Sequence, residues 1–324
     1  MKFRATAALG LLSAAFLALP ARSEQVVGRQ EGSSQATIDS TKSWDFVAKN
    51  NGEGYRVKVF VPRGGAPRAG FPVLYLLDGN ILFGTFAGAV RNESQSGDIE
   101  PAVVVGIESG EGKVGADRTY DFTYADLSEQ EKSIVVDLGS QPRFGGYDKF
   151  RQVIEEEIKP AVEKMVPVDR KRQALFGWSL GGQFVVHTML KHPESFGTFV
   201  ALSPALWRSN RSVFSEISGL KVRDAAGQLP FLFLGVGGNE ERLSAGMSKW
   251  PVDQAKFAAE VKYARMVGNV RDFADDIRPL FNKTPERLRL HVFEGDTHNT
   301  VPWSAINPVL QFLLAQPAPA VNAN

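Results

Sequence analysis

A series of short apolar runs separated by longer amphipathic segments constrains this chain most. The runs are "YRVKVFVP" (55–62), "FPVLYLLDG" (71–79), "PAVVVGIES" (101–109), "RQALFGWS" (172–179), "GTFVALSP" (197–204), "PFLFLGVGG" (230–238) and "RLRLHVFEG" (287–295). The first alternates in the strand period, as a half-buried strand does. The others are nearly continuous, the pattern of strands covered on both faces. Between them, Phe150, Val153, Ile154, Ile158, Val162 and Met165 recur at three- and four-residue steps and predict a helix over 147–166, kinked or divided by Pro160. Further helices are expected over 179–193, stopped by Pro193, and over 253–268. Strands alternating with helices imply an α/β fold with a mostly parallel central sheet and helices on both faces. Gly110–Gly146 and Asn239–Pro285 break this rhythm and are expected as excursions at the mouth of a site.

The 324 residues suit one large domain. At the N-terminus, Lys2 and Arg4 precede an apolar run from Ala5 to Leu19 and small residues at Ala21 and Ser23, which reads as a signal peptide over 1–23. The expected organisation is then an N-terminal arm over 24–43, a catalytic domain over 44–316 and a disordered tail over 317–324. Export to the periplasm or the medium follows from this reading, with no stable membrane anchor. Loss of Lys2, Arg4 and Arg22 takes the formal charge from +1 to −2, which leaves no basic stripe for nucleic acid. The absence of cysteine excludes disulfides and thiolate chemistry.

Chemistry is concentrated in "LFGWSLGGQF" (175–184), a Gly-x-Ser-x-Gly pattern with an apolar run on each side. The bare pattern is weak, but strand before and helix after is the context that holds a serine Oγ out on a strained turn. A serine hydroxyl needs a base. His187 lies roughly 12 Å along the following helix, His192 lies further, and His291 sits within a strand. His298, in "FEGDTHNTVPW", falls in a loop after the last strand, where the chain order serine, acid, histidine requires it. The acid is expected after an earlier strand: Glu240 in "GVGGNEE", with Glu241 as the second choice and Asp296 as another group able to orient His298. Two backbone amides must face a developing oxyanion. Leu180 follows the nucleophile, and Asn80 in "LLDGNILF" is the preferred second donor, with Gly79 and Ile81 as its neighbours.

Taken together, "FPVLYLLDGN", "DRTYDFTYAD", "GGYDKFRQVIEEEIKPAVE", "LFGWSLGGQFVVHTMLKHPESFGTFVALSPALW", "GVGGNEE" and "GDTHNTVPW" resemble the esterase family of α/β-hydrolases. That family includes esterase D-type S-formylglutathione hydrolases, feruloyl esterases, mycolyltransferases and siderophore trilactone esterases. "SPALW" and the Phe-x-x-Ile-x-x-Glu segment are most similar to the enterobactin and salmochelin branch. The resemblance implies an α/β-hydrolase fold and hydrolysis of carboxylic esters through an acyl-enzyme on Ser179, His298 and Glu240, without metal or cofactor. It implies a small-molecule ester as partner and places Arg118, Trp207 and Trp178 in the substrate cleft. For Arg118 an ion pair with Asp121, and for Trp207 a place in the core, are the structural alternatives. Feruloyl or short-acyl hydrolysis and acyl transfer use the same groups, and a binding protein without the chemistry is the remaining rival. A basic cleft would draw on Arg91, Arg118, Arg143 and Arg208.

Overall fold

The computed structural model describes residues 38–108, 117–134, 143–220, 227–243 and 246–315. Its sheet contains β1 (Thr41–Val47), β2 (Gly54–Phe60), β3 (Phe71–Leu76), β4 (Val103–Glu108), β5 (Val168–Trp178), β6 (Thr198–Leu202), β7 (Phe231–Gly237) and β8 (Leu288–Phe293). They lie in the order β1-β2-β4-β3-β5-β6-β7-β8. The pairs β1–β2 and β2–β4 are antiparallel, and every pair from β4 to β8 is parallel. All seven apolar runs are therefore strands.

Helices flank the strands: α1 (Gly79–Ser96), α2 (Arg118–Phe122), α3 (Glu129–Ile134), α4 (Tyr147–Gln152), α5 (Lys159–Met165), α6 (Leu180–Lys191), α7 (Arg208–Ser215), α8 (Gln254–Ala264), α9 (Met266–Ile277), α10 (Val301–Ser304) and α11 (Ile306–Leu314). Alternation along the strands divides the core into two layers. Val73, Tyr75 and Leu77 face a layer that includes Phe150, Phe184, Val185 and Phe273, from α4, α6 and α9. Leu74 and Leu76 face Phe86 and Val90 of α1 and Leu310 of α11. Each fully buried side chain of this kind stabilises the fold by about 1.5–3 kcal/mol, which is why these runs need apolar residues at successive positions.

The helix over 147–166 is not uniform. Between α4 and α5 the segment Val153–Ile158 is π-helical, and the Lys159 N–H donates five residues back to the Ile154 carbonyl. Pro160 has no N–H to continue the ordinary ladder, so the division falls just before it. The helix over 253–268 is also two helices. Arg265 takes a left-handed conformation (φ 39°), and the Asn269 side-chain amide closes the end of α8 with a 2.8 Å bond to the Ala264 carbonyl.

The described residues begin at Ile38, and β1 begins at Thr41, within the segment expected as an N-terminal arm over 24–43. β1 is an edge strand with largely exposed residues, so its sequence, TKSWDFV, carries little apolar signal. The expected signal peptide (1–23), most of the expected arm and the expected tail (317–324) lie outside the described residues. Among the described residues no helix is long and apolar enough to cross a membrane.

Candidate active site

Ser179 stands between the end of β5 and the start of α6, with φ 61° and ψ −117°. This backbone geometry is costly for a side-chain-bearing residue and persists only where neighbours enforce it. The Ser179 N–H donates to the Leu202 carbonyl of β6 (3.0 Å), and the Ser179 carbonyl accepts from Gln183 (3.0 Å) and Ala205 (3.1 Å). A Cβ at Gly177 would fall on the Gly181 carbonyl, so only glycine lets β5 and α6 pass this closely. Leu180 opens α6, a 12-residue helix whose first amides lack intrahelical acceptors and carry the positive end of its dipole.

His298 follows β8, and its Nδ1 lies 2.7 Å from Glu240 Oε2. Glu240 follows β7, and its carboxylate is fully buried. Its other oxygen accepts from the Gly237 N–H (2.6 Å) and from the Ser203 hydroxyl. Three donors therefore fix one buried anion, which in turn fixes the imidazole. With Nδ1–H pointed at a carboxylate, the lone pair is left on Nε2, the tautomer a general base requires. Glu241 is exposed and accepts from the Gly268 N–H at 2.8 Å, away from the imidazole. Asp296 accepts from the Thr300 hydroxyl at 2.7 Å. His187 is buried, stacked on Tyr124 with centroids 3.9 Å apart, and lies 2.7 Å from Glu216. His192 lies beside Glu194, and His291 stacks on Phe293.

The loop after β3 supplies the second group of amides. Asp78 is left-handed (φ 56°) and precedes α1. Gly79 is forced by contact, because a Cβ there would lie 2.6 Å from the Gly106 carbonyl carbon of β4. The amides of Ile81 (2.9 Å) and Leu82 (3.1 Å) donate to the Asp78 carbonyl, which excludes Ile81 as an oxyanion donor. The amides of Gly79 and Asn80 precede the helical ladder and have no carbonyl within it.

Arg118 pairs with Asp78, not with Asp121: Nε and Nη2 reach the two Asp78 oxygens at 2.5 and 2.9 Å, a bidentate fork. Nη2 also donates to the Trp178 carbonyl at 3.4 Å. Asp121 instead accepts from the Tyr55 hydroxyl (2.9 Å), and burial pushes its carboxyl up to about 7. Trp178 turns its indole toward the histidine loop, and Nε1–H donates to the His298 carbonyl at 3.1 Å. Trp207 is a core side chain, 9% exposed and packed edge-on against Tyr263, in place of the expected cleft wall. The arginines do not form a basic cleft. Arg143 is paired with Glu53 and Asp117, and Arg208 is buried against Phe144 and Trp207, while Arg91 is exposed on α1. A cavity of about 670 Å³ opens at the opposite end of the sheet, where β6 and β7 begin at Thr198 and Phe231 beside Val73 of β3 and Ala174 of β5, remote from Ser179.

Sequence reasoning missed Asp78 and Ser203. Asp78 sits in an Asp-Gly pair that reads only as a turn, and Ser203 in "SPALW" acts through its contact with Glu240, which no local pattern reports.

The family model described as "Putative esterase" matches residues 48–272. The chain is 37% identical over 190 residues to the ferri-bacillibactin esterase BesA of Bacillus subtilis (strain 168), covering 56% of this chain and 65% of that protein. It is 29% identical over 292 residues to a siderophore enterobactin esterase of Emericella nidulans, covering 84% and 92%. It is 31% identical to an apo-salmochelin esterase of Escherichia coli O6:H1, of which the match spans 52%, as it does of this chain. The chain thus spans about half to two thirds of the bacterial relatives' length. Among solved structures, the BES protein from Bacillus cereus superposes with a TM-score of 0.70 at 27% identity, covering 88% of this chain and 100% of that one. The siderophore hydrolase EstA from Aspergillus nidulans gives 0.68 at 26% identity, covering 87% and 98%.

Proposed function

This chain belongs to that esterase family, and from that premise we propose that it is an exported α/β-hydrolase that cleaves carboxylic esters through an acyl-enzyme, with a siderophore trilactone as substrate. The observation that carries the reading is the buried Glu240 carboxylate bonded to His298 Nδ1 at 2.7 Å, on loops that follow neighbouring strands of the sheet holding the Ser179 turn. Ser179 Oγ attacks the ester carbonyl while His298 Nε2 takes its proton, and Glu240 stabilises the imidazolium. The Leu180 and Asn80 amides hold the tetrahedral oxyanion. The intermediate collapses as His298 returns the proton to the departing alkoxide, and water, activated by His298, then releases the acid from Ser179. Relatives named for bacillibactin, salmochelin and enterobactin support the substrate class.

The test compares wild type with Ser179→Ala on iron-free and ferric enterobactin and on a short p-nitrophenyl ester. Serine-dependent trilactone cleavage that outpaces the model ester supports the substrate assignment. Serine-dependent cleavage of the model ester alone makes this a general esterase, and product analysis with an added alcohol acceptor detects acyl transfer. Turnover by Ser179→Ala at the wild-type rate would remove the mechanism.

A further inference from the structure

The contacts around Ser179 form a continuous chain that passes through one side chain. Asp78, at the head of the loop that carries Asn80, grips Arg118 with both oxygens, and Arg118 donates to the Trp178 carbonyl. The Trp178 indole donates in turn to the His298 carbonyl at 3.1 Å, and its ring lies against the imidazole with centroids 5.1 Å apart and planes tilted by 34°. His298 then reaches Glu240, which is anchored by Gly237 and Ser203. Trp178 is also the last residue of β5 and precedes Ser179 directly. It is the one position in this chain of contacts that adjoins both the nucleophile and the base.

Resting on the reading above, we infer that Trp178 is a positioning residue that sets the His298 imidazole relative to Ser179. The loop bearing His298 starts beyond β8, two strands further along the sheet than β6, which borders β5. Its other ties run through the β7 loop, by the Asn239 N–H to the Asp296 carbonyl (2.9 Å) and by Glu240 to the imidazole, and none of them reaches β5 directly. The indole N–H adds a direct link from the end of β5 to the histidine's own carbonyl, and the ring lying against the imidazole limits its rotation about the Nδ1–Glu240 bond. The ring also presents its negative π face to the imidazolium formed when His298 takes the serine proton. Both effects act on the transition state more than on ester binding, so they belong in kcat and not in KM. The partly buried indole packs against the α1/α11 layer, which gives it the rigidity this role requires.

Trp178→Phe keeps an aromatic face and removes the N–H; Trp178→Leu removes both. Each is assayed on a p-nitrophenyl ester with the active-site concentration fixed by fluorophosphonate titration, so that misfolded protein does not enter the rate. The expected result is a kcat per titrated site about tenfold lower for Trp178→Phe and lower again for Trp178→Leu, with KM within about twofold of wild type. The rate constant for fluorophosphonate modification falls in parallel, and the downfield proton resonance of the His298–Glu240 hydrogen bond broadens or shifts. An unchanged kcat per titrated site in both variants, or a rise confined to KM, overturns the role, the latter making Trp178 a wall of the ester site. Ser179→Ala and His298→Ala run alongside: if both are inactive while Trp178→Phe is normal, the positioning role alone fails. If Ser179→Ala is fully active, the serine mechanism fails and this role with it.

Discussion

Replacing Glu240 with alanine, beside the same change at Glu241, separates two adjacent carboxylates that the sequence leaves hard to rank. In wild type the Glu240 carboxylate receives the Gly237 N–H at 2.6 Å, the Ser203 hydroxyl and His298 Nδ1 at 2.7 Å, all shielded from water. Alanine leaves three polar groups without their acceptor. At roughly 1 kcal/mol or more for each, the expected loss of stability is about 3 kcal/mol, measured by urea denaturation. The imidazole also loses the partner that sets its tautomer and stabilises its charged form. Loss of the equivalent acid in serine hydrolases costs on the order of 10⁴ in kcat, or about 5.5 kcal/mol of transition-state stabilisation. Glu241→Ala removes one exposed acceptor for the Gly268 N–H and is expected to change kcat by less than about twofold. Activity of Glu240→Ala within tenfold of wild type, or an equal loss in Glu241→Ala, would refute the argument.

Two further substitutions test the frame around the site. Gly177→Ala places a methyl group on the Gly181 carbonyl, and because the clashing atoms are backbone that cannot rotate away the expected destabilisation is about 3 kcal/mol, with fluorophosphonate labelling of Ser179 slowed; a stability within about 0.5 kcal/mol of wild type, the range of a surface change, would contradict it. Asp121 is held near 7 by burial against an ordinary value of 3.8, so the folded state keeps a proton that the unfolded state has already released. Its contribution is therefore most favourable at low pH and is lost as pH rises from about 4 through 7, by about 3 kcal/mol between pH 5 and pH 8. Asp121→Asn removes that slope while an amide oxygen still accepts from Tyr55, so its stability relative to wild type is expected to rise over this interval in urea denaturation; a constant difference would remove the assignment.

The sheet was legible because its central strands are buried on both faces, so "FPVLYL" and "FLFLGVG" need no alternation to be recognised. β1 was not, because a strand paired on one side, with polar residues at most positions, has little burial to advertise. Chain order and local context point to Ser179 and His298, and the exit of its strand to Glu240, whose carboxylate lies 2.7 Å from His298 Nδ1. What stayed hidden lies in side-chain direction. Nothing in "DRTYDF" distinguishes Asp78 from Asp121 as the partner of Arg118, since the first is distant in sequence and meets it only where the ends of β3 and β5 converge. Trp207 follows the same rule: "SPALW" gives no sign that the indole packs edge-on against Tyr263.

The most direct measurement of the serine mechanism is reaction with a fluorophosphonate followed by mass spectrometry of the modified peptide. The account predicts one adduct per chain, on Ser179, absent in Ser179→Ala and formed far more slowly in His298→Ala. An unmodified chain, or an adduct that persists in Ser179→Ala at the wild-type rate, would contradict it.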